Sequence, residues 1–99
     1  MDNYNFGRSK EVLVANDLVR CGFRNVQLTK GSRGPFDVFG NYEDGHFILV
    51  QVKSSRITFA AASASGDDKD KLIAIARQHS AEAYIAYVVG DQIQYEKVV

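Results

Sequence analysis

The chain has 99 residues, twelve Lys or Arg against twelve Asp or Glu, no net charge, and 45% hydrophobic residues. This length fits one domain over 1–99, and the apolar fraction suits a packed core and excludes a disordered polar chain. The single cysteine, Cys21, excludes an internal disulfide and a cysteine-rich zinc site; no run approaches the ~20 apolar residues of a membrane span, and Met1 to Asn5 lacks the basic and apolar regions of a signal peptide, so an intracellular protein is expected.

Residues 7–21 read as the first helix, because Glu11, Val14, Ala15 and Leu18 recur at helical spacing and Gly22 follows as a stop. Cys21 then reads as a buried residue at the helix end. Phe23 to Thr29 is a first strand, Lys30 to Pro35 a loop by composition, and Phe36 to Tyr42 a second strand. Asp44-Gly45 is a hairpin signal. His46 to Ser54 is a third strand, apolar enough to be central with both faces covered. Ala60 to Gly66 reads as a small-residue loop, and Asp67-Asp68 as the cap and acidic first turn of a second helix reaching about Gln78, with Leu72, Ile75, Ala76 and His79 inward. Ala83 to Val89 and Gln92 to Val98 complete the order α-β-β-β-α-β-β, an α/β domain with a sheet flanked by helices.

Four residues stand out against this pattern. Glu11 lies on the inward face of its helix, where a carboxylate needs a partner or a metal; the alternative is an exposed acid that favours the helix dipole. Asp37 interrupts an apolar strand, where Asp is disfavoured, or else marks the strand's edge. Gln51 and Lys53 end an apolar run two residues apart, so they point to the same face, although such an ending also suits a strand that simply reaches solvent. Together, a carboxylate, an amide and an ammonium at strand ends can hold a divalent cation and activate water beside a phosphodiester. Charge favours the same half of the chain: residues 1–56 hold eight Lys or Arg against six Asp or Glu, and the remainder four against six. His46 and His79 read as structural, and Tyr84, Tyr87 and Tyr95 as core or dimer surface.

With Glu11 in Gly7-Arg8-Ser9-Lys10-Glu11, the helix exit Leu18 to Phe23, Gly34-Pro35-Phe36-Asp37-Val38 and Val50-Gln51-Val52-Lys53-Ser54, the chain resembles the PD-(D/E)xK nuclease superfamily over most of its length. Within it, the archaeal Holliday junction resolvases look most similar. The resemblance implies a restriction-endonuclease-like core with a mixed five-stranded sheet. It implies Mg²⁺, with Mn²⁺ as a substitute, held by Glu11, Asp37, Gln51 and the Val52 backbone carbonyl, with Lys53 assisting the attacking water or the transition state. The family usually has Glu where this chain has Gln51. Gln-x-Lys resembles the variant of Mrr-type restriction enzymes and of one class of intron homing endonucleases, and it brings one negative charge fewer to the metal.

The implied reaction is metal-assisted phosphodiester hydrolysis in DNA. Arg8, Lys10, Lys30, Ser32, Arg33, Ser54, Ser55 and Arg56 are the expected DNA contacts, or else solvated polar residues of loops and strand ends. So few residues leave little room for base readout, which favours branched DNA. Two cuts in a symmetric junction require a twofold homodimer. The alternatives are a restriction- or homing-type nuclease domain and a non-catalytic nuclease fold that binds DNA or a protein.

Overall fold

The computed structural model describes residues 3–30, 34–59 and 64–99, with the side chains of 3–5 left aside. The elements are α1 (Asn3–Arg20), β1 (Arg24–Leu28), β2 (Val38–Asn41), β3 (Phe47–Ser55), α2 (Gly66–Gln78), β4 (Glu82–Val89) and β5 (Gln92–Lys97), in the order expected. They form one mixed sheet, β1-β2-β3-β4-β5. Only β3 and β4 are parallel, because only they are joined by a helix long enough to return the chain to the same end.

α1 begins four residues before the expected start and ends where Gly22 adopts φ +99°. The Gly22 N–H donates to the Val19 carbonyl and the Phe23 N–H to that of Leu18, at 3.0 and 3.1 Å. This is a Schellman ending, and Leu18 and Phe23 pack into the same core cluster, as that motif requires. Cys21 departs from expectation: it is exposed, at the residue between the end of α1 and the Gly22 turn. β1 carries a register shift between Arg24 and Gln27, with Asn25 at positive φ. Gly40 in β2 runs beneath this irregularity, where a Cβ would lie 3.1 Å from the Arg24 carbonyl and from Val26 Cγ2.

Two apolar layers cover the sheet. Val14 and Leu18 of α1 pack on Val38, Ile48, Val50, Ala86 and Val88. Leu72 and Ala76 of α2 pack on the opposite face, on Leu49, Ala81, Ala83 and Ile85. β3 is thus central and covered on both sides, which explains its unbroken apolar run. The α2 cap is Ser65, whose Oγ accepts the Asp68 N–H at 3.1 Å, with Asp67 and Asp68 in the first turn. His79 was expected on the inward face but is exposed at the C-terminal cap, where the helix ends and its backbone N–H is shared among the last carbonyls. No helix is long and apolar enough to cross a membrane.

β2 has four residues and β3 nine, so β3 runs beyond its hairpin partner. Its last residues, Gln51 to Ser55, pair with β4 but meet no further β2 residue in the ladder. This notch at the end of the sheet positions the site.

Candidate active site

The buried polar side chains among the described residues are Glu11, Asp37 and Gln51, at 6%, 8% and 7% exposure. Asp37 and Gln51 lie at the notch, next to the last β2–β3 rung, and Glu11 acts on Asp37 from α1. Val38 pairs with Val50 at the last rung of the ladder, and Asp37 immediately precedes it, at the end of β3 that carries Gln51. The Asp37 N–H donates to the Val50 carbonyl at 2.8 Å, and its carboxylate Oδ2 accepts the Val52 N–H at 2.8 Å. The side chain takes over the donor that a longer β2 would have paired through its backbone. That bond orients the carboxylate and leaves its second oxygen for a cation.

Gln51 and Lys53 follow Leu49 at every second position, so all three share the face covered by α2. Glu11 arrives from α1, on the other layer. Asp37 sits between: its charge acts on Glu11, and Lys53 and Arg8 act on it. Burial first, and then the Asp37 charge, pushes the Glu11 carboxyl above its ordinary value, against the pull of Arg8. Burial likewise raises Asp37, opposed by the Val52 N–H and by the charges of Lys53 and Arg8. Two neighbouring carboxyls that both resist ionisation form a site that gains from a cation.

Gln51 Oε1 is buried without a hydrogen-bond partner among the described residues. An unsatisfied buried acceptor costs ~1–3 kcal/mol. Hard divalent cations accept amide and carboxylate oxygens alike, so Asp37, Glu11 and Gln51 are donor types that suit Mg²⁺. Among the described residues no three His, Cys, Asp or Glu side chains gather to hold a metal.

Lys53 Nζ lies 3.0 Å from Asp68 Oδ2, and both side chains are about one-third exposed. The bond to Lys53 draws the Asp68 carboxyl below its ordinary range. Asp68 did not emerge from the sequence as a site residue. Its only signal was an acid in a helical first turn, and no local pattern links it to a strand residue fifteen positions earlier.

The expected DNA contacts divide. Arg8 turns inward: its Nη1 donates to Glu11 Oε1 at 3.1 Å and to the Thr29 carbonyl at 3.0 Å. The Lys10 ammonium donates to the Gly90 carbonyl at 2.7 Å, and Arg56 lies over the Phe6 ring. Ser55 Oγ accepts the N–H groups of Ile57 and Thr58, closing the turn after β3. Ser54 is half-buried and Lys30 exposed, while Ser32 and Arg33 lie outside the described residues. Val52, whose carbonyl completes the expected metal set, is the residue whose N–H Asp37 accepts. His46 pairs with Asp44 at 2.8 Å in the exposed turn before β3, away from the notch. Tyr87 and Tyr95 direct their hydroxyls to Glu96 and Asp17, and Tyr84 and Tyr95 stack edge to face.

No family model matches the sequence, and neither does any curated protein. Solved structures do match. One is Hjc of Archaeoglobus fulgidus, a Holliday junction resolvase from an archaeal hyperthermophile, 22% identical, covering 93% of this chain and 72% of its own, with a TM-score of 0.72. This chain has the fold of that resolvase. The α/β architecture implied by the sequence resemblance is therefore the one present, mixed sheet and element order included.

Proposed function

We propose that this protein is a divalent-metal-dependent endodeoxyribonuclease, selective for branched DNA and resolvase-like. One observation carries the reading. Among the described residues the buried polar side chains are Glu11 and Asp37, whose carboxyls act on each other, and Gln51, next to the Val52 that Asp37 caps, whose Oε1 has no partner. A fold under no functional demand would not keep two buried carboxyls and an unsatisfied buried amide, because each costs stability. Likeness to the Hjc fold supports the reaction class.

Asp37, Gln51, Glu11 and the Val52 carbonyl would hold Mg²⁺ or Mn²⁺. When bound, the ion would lower the pKa of a coordinated water and offset charge on the phosphate. The water oxygen bonds to phosphorus as the bond to the leaving oxygen breaks, and a proton ends on that oxygen. Lys53 orients the water or neutralises charge that develops on the phosphate. Asp37 is held for its role by the Val52 N–H. One such site is present among the described residues, so paired cuts in a junction call for a twofold homodimer.

The test is incubation of a labelled four-way junction, beside matched linear duplex and single strand, with Mg²⁺, Mn²⁺ or EDTA. Symmetric cuts confined to the junction, lost with EDTA and in Asp37→Asn, are expected. Metal-dependent cutting of the linear DNA would instead indicate a restriction- or homing-type nuclease. One observation favours a second reading, a binding protein that has left catalysis: the missing third carboxylate. Tight junction binding without cleavage under either metal would establish it.

A further inference from the structure

In a chain with no net charge, most described cations are matched to acids. Arg8, Arg20, Arg24, Lys53, Lys69, Lys71 and Lys97 each sit within ion-pair distance of a carboxylate. Among the described residues, Lys10, Lys30, Arg56 and Arg77 are not. Two of these four, Lys10 and Arg56, share one aromatic ring. The Arg56 guanidinium lies 3.9 Å and the Lys10 ammonium 5.4 Å from the centre of Phe6. Lys10 is also tied to the Gly90 carbonyl in the turn between β4 and β5.

The location gives the cluster meaning. Ser55 pairs with Val89, so Arg56 and Gly90 both leave the sheet at the C-terminal ends of its parallel strands. That is where open α/β sheets bind ligands. Phe6 precedes by two residues Arg8, which binds Glu11 and acts on Asp37, and Arg56 directly follows β3, so the cluster and the notch share the C-terminal end of β3. A guanidinium held over a ring keeps N–H groups available to other partners, and its planar fork suits bidentate contact with phosphate oxygens. Asp91, which follows Gly90 in the turn, is within ion-pair distance of neither cation.

We propose that Phe6, Arg56 and Lys10 form a second phosphate site, which holds a backbone phosphate of the bound strand beside the scissile one. The ring is the platform that orders Arg56. This deepens the nuclease reading and rests on it.

The test is fluorescence anisotropy of a labelled four-way junction and a linear duplex, in EDTA so that nothing is cut, across a salt series. Arg56→Ala is expected to weaken binding about three- to tenfold and to reduce the salt slope by about one. Phe6→Leu keeps the apolar bulk without the ring, and is expected to weaken binding in the same direction. The double variant should lose no more than Arg56→Ala alone. Arg77→Ala, an unpaired cation on α2, should bind as the parent does. Wild-type Phe6→Leu affinity, losses that multiply in the double variant, or an equal loss in Arg77→Ala would overturn the site, the last because net charge alone would then explain the effect. Should Phe6→Leu lose its helical circular dichroism, Arg56→Lys takes its place: it keeps the charge without the planar stack, and affinity equal to the parent's would overturn the site. A parent that binds none of these DNAs would overturn the nuclease reading itself, whereas a parent that binds while all variants match it would remove only the second phosphate site.

Discussion

Glu11, Asp37 and Gln51 reduce the stability of the metal-free fold, and that cost makes their roles measurable. Glu11→Gln and Asp37→Asn each remove a carboxyl that burial keeps from ionising readily. Each is expected to raise the melting temperature of the metal-free protein by a few degrees while abolishing cleavage, read by thermal scan and junction assay. Gln51→Glu should do the reverse. It adds the third carboxylate, lowers metal-free stability, and reduces the Mg²⁺ concentration needed for half-maximal stabilisation. Asp68 makes a different prediction, because it contacts Lys53 and is not among the proposed metal ligands. Asp68→Ala frees the ammonium, so cleavage rate should fall about tenfold with little change in the Mg²⁺ requirement, and Asp68→Glu should recover part of the rate.

The decisive element is β2. It ends four residues into the hairpin and leaves the rim of β3 open, so Asp37 must cap Val52 with its side chain. Gly40 keeps β2 close beneath β1, where a Cβ would meet the Arg24 carbonyl at 3.1 Å. Gly40→Ala is expected to cost about 1–3 kcal/mol in chemical denaturation and to lower activity, because the displaced strand carries Asp37 with it. Leu72 in α2 is fully buried. Leu72→Ala should cost about 2–5 kcal/mol through the cavity it leaves, and should impair activity only as far as α2 and Asp68 shift.

For the molecule as a whole, two groups of carboxyls respond to acid with opposite sign. Glu11 and Asp37 have raised values, so each favours the unfolded chain while ionised, and that penalty fades as pH falls through the folded value. Asp17, Asp68, Glu82 and Glu96 have lowered values, drawn down first by Tyr95, Lys53, Lys97 and Tyr87 respectively. Their contribution is complete above the ordinary carboxylate range and is lost as pH drops below it. Metal-free stability should therefore hold or rise slightly on mild acidification from neutrality and then collapse in stronger acid. Saturating Mg²⁺ should cancel the rise in the parent and leave Asp37→Asn unaffected, as followed by thermal melts across pH.

Much of this was readable from residue order. Hydrophobic period, the Gly22 and Asp-Gly signals and the apolar run of β3 determine the elements and the central strand, because they act over a few neighbouring residues. The odd polar positions, Glu11, Asp37, Gln51 and Lys53, were visible for the same reason: each breaks a local apolar pattern. Other features required the folded chain. Whether Glu11 is buried or exposed depends on what covers α1, and the exposure of Cys21 and His79 depends on where the chain turns after each helix. The inward turn of Arg8, the Lys53–Asp68 pair and the stacking of Arg56 on Phe6 join residues from different elements, and no local pattern encodes them. Sequence determines which groups have a reason to be paired, but only tertiary packing decides the partner, since long-range contacts form where separate elements meet.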